Sequence, residues 1–92
     1  MFEQRVGERK LYTVDFSRQV EVARGETIQF VNSVVSRPEG LVFSRVVHDK
    51  HGMAQAWVEV AGPPGNYHAV FTVTTGEGSR LVAGVPLRIV PD

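Results

Sequence analysis

The chain has 92 residues, with ten Lys and Arg side chains against ten Asp and Glu, and 42% of its residues are hydrophobic. This length allows one domain, and a domain of this size buries only about 60–65% of the surface that its unfolded chain exposes, which leaves little material for a deep active-site cleft. A formal net charge of zero removes the long-range attraction that draws small domains to nucleic acid or to anionic lipid, so neither is expected as a partner.

The chain contains no cysteine. Structural disulfides, thiolate nucleophiles and Cys-ligated zinc sites are therefore excluded, and assembly inside a cell fits this composition best. The first ten residues lack the apolar core of a signal peptide, and no later window approaches the roughly 18 apolar residues of a membrane span. We expect neither export by a standard signal nor a membrane anchor.

The N-terminal segment, residues 1–9, carries Phe2 and Val6 among charged residues and shows no strand pattern. We interpret it as an N-terminal arm that is either disordered or ordered on a neighbouring subunit. The domain itself is expected to span residues 10–92. Its first strand is predicted at residues 10–16, since apolar side chains alternate with polar ones there.

The middle of the chain predicts three further strands. A short one at residues 20–22 precedes a turn, and a longer one covers residues 27–36 with Ile28, Phe30 and Val34 on the same face. Asn32 interrupts that apolar pattern and indicates a possible β-bulge. After a Pro-Gly turn at residues 37–40, the next strand is expected at residues 41–47.

The last part of the chain predicts three more strands, at residues 55–60, 67–75 and 80–90. Two adjacent prolines separate the first of these from the second, because proline cannot donate a ladder hydrogen bond. Residues 76–79 are predicted to be a hairpin turn. Gly84 and Pro86 interrupt the last strand and indicate either a bulge or an edge position.

About seven short strands at intervals near ten residues predict an all-β fold, an immunoglobulin-like β-sandwich of antiparallel strands. Tyr67 opens the penultimate strand. In such sandwiches a tyrosine at this place commonly bonds its hydroxyl to the backbone of a nearby loop. The alternative is an ordinary core tyrosine with its hydroxyl at the rim.

Candidate sites for chemistry are weak. His48, Asp49 and His51 could in principle hold a metal, but their spacing matches no strong zinc pattern, and solvated turn residues are the favoured interpretation. The chain has no Gly-x-Ser-x-Gly elbow and no Gly-rich loop that leads into a helix. We therefore predict a protein that is not an enzyme and that has no catalytic residue, no metal site and no cofactor.

Three residues are candidates for contact with another protein. Trp57 alternates out of phase with its small apolar neighbours, so it lies either in the core, which is the favoured interpretation, or on the surface, where it would anchor an interface. Phe2 and Val6 of the arm are the other two candidates. Paired apolar residues such as Val34-Val35, Val46-Val47 and Leu81-Val82 also indicate strands covered on both faces, and hence burial by a partner.

Several segments together resemble small virion proteins of tailed bacteriophages, and the fiber-tail adaptor family in particular. They are Leu-Tyr-Thr-Val-Asp-Phe-Ser at residues 11–17, Gly-Glu-Thr-Ile at 25–28, Pro-Glu-Gly-Leu at 38–41, Ala-Trp-Val-Glu-Val-Ala-Gly at 56–62, and the strand from Asn66 to Thr75. The likeness covers about residues 11–90. One departure is Gly-Pro-Pro-Gly at residues 62–65, where the family pattern has Gly-Gly-Thr.

The resemblance implies a structural virion protein that acts by protein–protein contact as a tail or fiber adaptor. Its expected partners are other virion proteins, with the chain as a homo-oligomer in the particle, assembled in the cytoplasm of the bacterial host. An alternative within the virion is a capsid decoration, or cement, protein on the phage head. A carbohydrate-binding module is a third possibility, although one Trp and two Tyr offer few aromatic platforms.

Overall fold

The structure is a computed structural model, and it describes residues 2–19, 24–49 and 51–92. Within these residues the chain forms strands only. They are β1 (Phe2–Arg5), β2 (Arg9–Asp15), β3 (Ile28–Arg37), β4 (Leu41–His48), β5 (Met53–Val60), β6 (Gly65–Thr75) and β7 (Arg80–Val90). None of the described residues belongs to a helix long and apolar enough to cross a bilayer.

The strands form two sheets that pack face to face. One has four strands in the order β1-β7-β6-β3, and the other has three in the order β2-β5-β4. The predicted all-β sandwich is confirmed. The prediction that all strands are antiparallel is wrong for one pair, since β1 runs parallel to β7. The immunoglobulin-like assignment stays a prediction; the sheets β2-β5-β4 and β7-β6-β3 have the strand grouping that it requires.

Six of the predicted strands coincide with β2 to β7 within a few residues. Strand β1 was not predicted, and it lies in the segment that the sequence indicated to be an arm. The residue pattern does not indicate this strand, because its one buried side chain is the polar Gln4 and the residues on either side are charged. The predicted strand at residues 20–22 lies outside the described residues.

The core lies between the sheets and follows the period-2 alternation of the strands. Tyr12, Val14 and Phe16 face inward, and so do the alternate residues of β6. Fully buried Phe16, Phe71 and Leu87 each contribute roughly 1.5–3 kcal/mol of transfer free energy. The other buried apolar residues are Ile28, Leu41, Ala54, Ala56, Val58, Tyr67, Ala69, Val73, Leu81, Val85 and Ile89.

Strand β3 pairs with β6 through two register shifts, one between Ile28 and Phe30 and one between Val31 and Ser33. The second is the irregularity that Asn32 indicated. The first turns Phe30 outward, where it is 46% exposed, so the prediction that Phe30 shares a face with Ile28 is wrong. Each extra residue in one strand of a pair reverses the facing of those that follow.

Gly84 and Pro86 lie in a continuous stretch of β7 that keeps its register with β6. On the other side, β1 pairs with β7 only from Leu87 onward. Gly84 and Pro86 therefore occupy the part of β7 that is a sheet edge. Of the two predicted alternatives, a bulge or an edge position, the edge position is confirmed.

Tyr67 joins two loops at one end of the sandwich. Its hydroxyl donates to the Pro63 carbonyl oxygen at 2.6 Å, as expected for a tyrosine at this place. The Gly40 carbonyl oxygen accepts from the N–H groups of Ala61 and Gly62 at 2.7 and 2.9 Å. The ring thus packs where the β3–β4 and β5–β6 connections meet.

Gln4 joins β1 to the other sheet. Its Nε2 donates to the carbonyl oxygens of Glu8 and Val58 at 2.8 and 3.0 Å, and its Oε1 accepts from the Tyr12 hydroxyl at 2.9 Å. Gln4 is 1% exposed, so a polar side chain sits at the sandwich edge with its hydrogen-bonding groups paired.

Candidate interaction surface

Trp57 lies on the outer face of the three-stranded sheet. Its neighbours Ala56 and Val58 are fully buried, so the interpretation of Trp57 as a core residue is wrong. Small side chains fill the core at this point of β5, and the alternation of the strand then places the half-buried indole outside. The Arg9 guanidinium lies 4.5 Å from the ring centroid, and Arg9 Nε is 3.4 Å from Glu59 Oε1.

Phe2 lies at the opening between the two sheets and is 55% exposed. Its ring meets that of Tyr12 edge-to-face with centroids 5.4 Å apart, which fixes its position while leaving most of it accessible. Val6, the third predicted contact residue, is half-buried and packs against the core. Its N–H donates to the Val90 carbonyl oxygen at 3.0 Å.

Leu11 connects Phe2 with Trp57. It stands directly opposite Trp57 in the β2–β5 pair, so their side chains share the outer face of that sheet. Leu11 is 42% exposed, and it also lines an open depression together with Phe2. Phe2, Leu11 and Trp57 form a continuous apolar strip, called here the Phe2–Trp57 surface. Leu11 was not among the contact residues that the sequence predicted.

Ionisable groups near this surface serve the fold. Burial, and then the charge of Glu8, raise the pKa of the Tyr12 phenol above its ordinary value, so the hydroxyl that Gln4 binds stays protonated. Asp15 ends β2, and its carboxylate accepts the Ser17 N–H at 2.8 Å. Hydrogen bonds from the Ser17 side chain and backbone lower the pKa of Asp15.

The hairpin tip after β4 is organised by Asp49. Its carboxylate accepts the N–H groups of His51 and Met53 at 2.8 and 3.1 Å. The Met53 N–H contributes most to lowering the pKa of Asp49, and the His51 N–H and the two neighbouring histidines add to it. In the described part of the chain, no group of three or more His, Cys, Asp or Glu side chains could hold a metal ion. The Asp49 carboxylate is a turn-forming group here.

The outer face of the four-stranded sheet carries a second apolar area. Val35 and Val82 are exposed there, whereas their neighbours Val34 and Leu81 point toward the core. At these two pairs the sheet therefore carries apolar side chains on both of its faces. That a partner protein covers the outward-facing ones stays a prediction.

Depressions on the described surface are open rather than enclosed. One lies between the end of β7 and the start of β6, beside Asn66 and Arg88, and another lies beside Phe2 and Lys10. Small-molecule sites bury most of their ligand in a concave, largely enclosed pocket. The open apolar strip of Phe2, Leu11 and Trp57 is suited instead to contact with another protein.

Two of the segments that carry the resemblance contact each other. Glu26 Oε1 accepts from the hydroxyls of Thr75 and Ser79 at 2.6 and 3.0 Å. The Gly76 N–H donates to the Thr27 carbonyl oxygen at 3.0 Å. The Gly-Glu-Thr-Ile segment is thus bound to the hairpin that follows the tyrosine strand, which gives these short motifs a shared structural role.

Comparison with known proteins gives one family. A family model described as podophage GP4 fiber-tail adaptor protein gp77 matches residues 4–88, which includes every strand from β2 to β6, half of β1 and most of β7. A search of curated proteins finds no match.

Proposed function

The chain belongs to the podophage GP4 fiber-tail adaptor family, and on this premise we propose that it joins a fiber to the tail of a phage particle by protein–protein contact. The family match over residues 4–88 carries the proposal. Membership implies a structural protein of the virion, with no catalytic role and with other virion proteins as its neighbours.

The Phe2–Trp57 surface is the contact that we assign to one of these neighbours. Aromatic side chains held by their surroundings make effective interface anchors, since little conformational entropy is lost when they are covered. Trp57 is held by Arg9 and Phe2 by Tyr12. Val6 stays a predicted contact residue, with a smaller exposed area because it packs on the core.

Several copies in each particle are part of the proposal. A phage tail is a symmetric assembly, and a small neutral domain gains affinity when many equivalent docking sites act together. Assembly from the host cytoplasm fits a chain without cysteine, which needs no oxidising compartment to fold.

The test uses phage whose copy of the gene is deleted and complemented in trans. The double variant Leu11→Ala with Trp57→Ala should reduce the number of fibers per particle about tenfold or more, because losing an interface anchor typically costs roughly 2 kcal/mol or more. The matched control is Gln29→Ala, which truncates an exposed side chain on β3, in the other sheet. Fibers are counted by negative-stain electron microscopy, and thermal melting confirms that each variant folds.

Immunogold labelling of the complemented particles locates the chain. Label on the tail supports the adaptor function, whereas label on the head would contradict it and favour a capsid decoration protein. Wild-type fiber numbers in the double variant would remove the Phe2–Trp57 surface from the proposal.

A further inference from the structure

We propose that the outer face of the four-stranded sheet docks a second virion protein whose contact surface has an apolar centre and a rim of Asp and Glu side chains. The inference rests on the proposed adaptor function, since a protein that joins two others needs a second surface. This face lies on the opposite side of the sandwich from Leu11 and Trp57.

The centre of the face is apolar. Val35 and Val70 stand opposite each other in the β3–β6 pair, and Val82 lies one row away on β7, opposite Thr72. Val82 is 56% exposed and Val35 38%. Single exposed aliphatic residues are ordinary, but a cluster on three adjacent strands is typical of an interaction site.

Basic side chains flank this centre at both ends. Arg80 stands at one end of the face beside Thr74, and Arg37 lies at the other side of the apolar cluster, opposite His68. Arg88 and Arg5 continue the basic rim along β7 and β1, and all four arginines are exposed. The acidic side chain among these outward rows is Glu3, opposite Arg88.

The chain is neutral overall, so this arrangement is a local separation of charge. The ion pairs among the described residues, Arg9–Glu59 and Lys10–Glu8, lie away from this face. An apolar centre with a charged rim is the usual anatomy of a protein interface, and the sign of the rim selects the partner. The basic rim of this face selects a partner that presents carboxylate side chains.

A second copy of the chain fits this face poorly. A two-fold contact would place the basic rim of one copy against the same rim of the other, which is electrostatically unfavourable. Nucleic acid also fits poorly, because a phosphate backbone needs a continuous basic track. Arg80 and Arg37 are three rows apart, roughly 20 Å, with aliphatic and hydroxyl side chains between them.

The size of the face suits an assembly with repeated contacts. Five rows along three strands cover about 500 Å² at the ordinary spacings of a sheet. This is less than the roughly 600 Å² that one side of a small stable interface buries, so each contact is weak alone. Repetition around a symmetric tail compensates for that weakness.

The test again uses gene-deleted phage complemented in trans. The rim-reversal variant Arg37→Glu with Arg88→Glu should lower the amount of the chain or of fiber in purified particles about tenfold or more, because like charges would then face each other across the contact. The matched control, Arg18→Glu with Arg24→Glu, makes the same change of net charge at exposed residues outside the face and should leave the content within about twofold. Quantitative mass spectrometry measures the content.

Val82→Asp tests the apolar centre independently of the rim and should also reduce particle content. Thermal melting identifies any variant that fails to fold, and the other variant then decides the outcome. Second-site suppressors of rim reversal that change Asp or Glu to Lys or Arg in another virion protein would support the docking and identify the partner.

Three outcomes would overturn the inference. Normal content of chain and fiber with both rim-reversal and Val82→Asp variants would show that the face is not needed. In sedimentation, a wild-type dimer that Val82→Asp converts to a monomer would assign the face to a second copy. A duplex-DNA mobility shift that rim reversal abolishes, with normal particle content, would assign it to nucleic acid.

Normal fibers on particles that lack the gene altogether would instead contradict the proposed adaptor function itself.

Discussion

Gly40 and Gly62 leave room for the Tyr67 ring. A Cβ on Gly40 would lie 2.7 Å from Tyr67 Cε2, and one on Gly62 would lie 2.6 Å from the Tyr67 hydroxyl oxygen. Gly40 also has φ +146°, a conformation that L side chains rarely adopt. The packing of Tyr67, whose hydroxyl donates to Pro63, therefore depends on Gly62 in the adjacent loop and on Gly40, which is distant in the sequence.

Replacing Gly40 tests this arrangement. Gly40→Ala should destabilise the fold by about 2–4 kcal/mol, because the new methyl group must displace the buried Tyr67 ring and the backbone must also change conformation. Gly76→Ala is the matched control: it has no atom within 4 Å of the added Cβ, and it should cost less than about 0.5 kcal/mol. Urea denaturation measures both, and equal stabilities for the two variants would contradict the packing described.

At the scale of the element, the main-chain attachment of β1 to the sandwich is its pairing with β7. Strand β1 has four residues, pairs with β7 alone among the described strands and contributes the buried side chain of Gln4. A parallel two-strand contact of this length is weak by itself. The hydrogen bonds from Gln4 to the carbonyl oxygens of Glu8 and Val58, and from Tyr12 to Gln4, therefore decide whether β1 stays on the sandwich.

Gln4→Ala should destabilise the protein by about 2–3 kcal/mol, since it leaves the Tyr12 hydroxyl and the Val58 carbonyl oxygen without the side-chain partner that they have. The exposed Gln29 of β3 supplies the control, Gln29→Ala, with an expected change within about 0.5 kcal/mol. Hydrogen exchange should show faster exchange at Val6, whose N–H bonds Val90, in the first variant only. Unchanged exchange and stability would support the interpretation of residues 1–9 as a separate arm.

Strand β3 shows how an element can change the surface without changing the fold. Its register shift between Ile28 and Phe30 directs Phe30 outward, beside Thr74. The apolar area of the four-stranded sheet is larger as a result. A regular strand would have buried this ring and left that end of the face polar.

At the scale of the whole molecule, Asp15 and Asp49 contribute to the dependence of stability on pH. Hydrogen bonds lower the pKa of both carboxyls below the ordinary Asp value of about 3.9. The folded state therefore favours the ionised form, and this stabilisation is present above the unfolded pKa and is lost as pH falls through the lower folded value.

Acidification from about pH 5 to about pH 2 should lower the urea midpoint of the wild type. The double variant Asp15→Asn with Asp49→Asn should lose less over the same range, since it has no ionised group to protonate at these turns. Glu77→Gln, at an exposed hairpin position, is the control and should follow the wild type. Parallel curves for the wild type and the double variant would contradict the role of these two carboxylates.

The whole molecule also presents two different surfaces on opposite sides of the sandwich. The Phe2–Trp57 surface combines its apolar strip with the Arg9–Glu59 ion pair, whereas the face of Val35, Val70 and Val82 has a basic rim. Different chemistry on the two sides favours two different partners. This is what a protein that joins a fiber to a tail requires.

Alternation and turn residues in the sequence were sufficient to determine the all-β class, most strand positions and the inward face of β6, because period-2 facing and Gly/Pro turns are local properties. The family resemblance was readable for the same reason, since its motifs lie within single strands and turns. Only the tertiary structure decided where Trp57, Phe30 and Gln4 lie. Trp57 faces outward because its small neighbours in β5 are the residues that pack against the opposite sheet. Phe30 faces outward because of a register shift, and Gln4 is buried because it bonds to residues as distant in the sequence as Val58. Such non-local contacts leave no periodic pattern in the residues that make them.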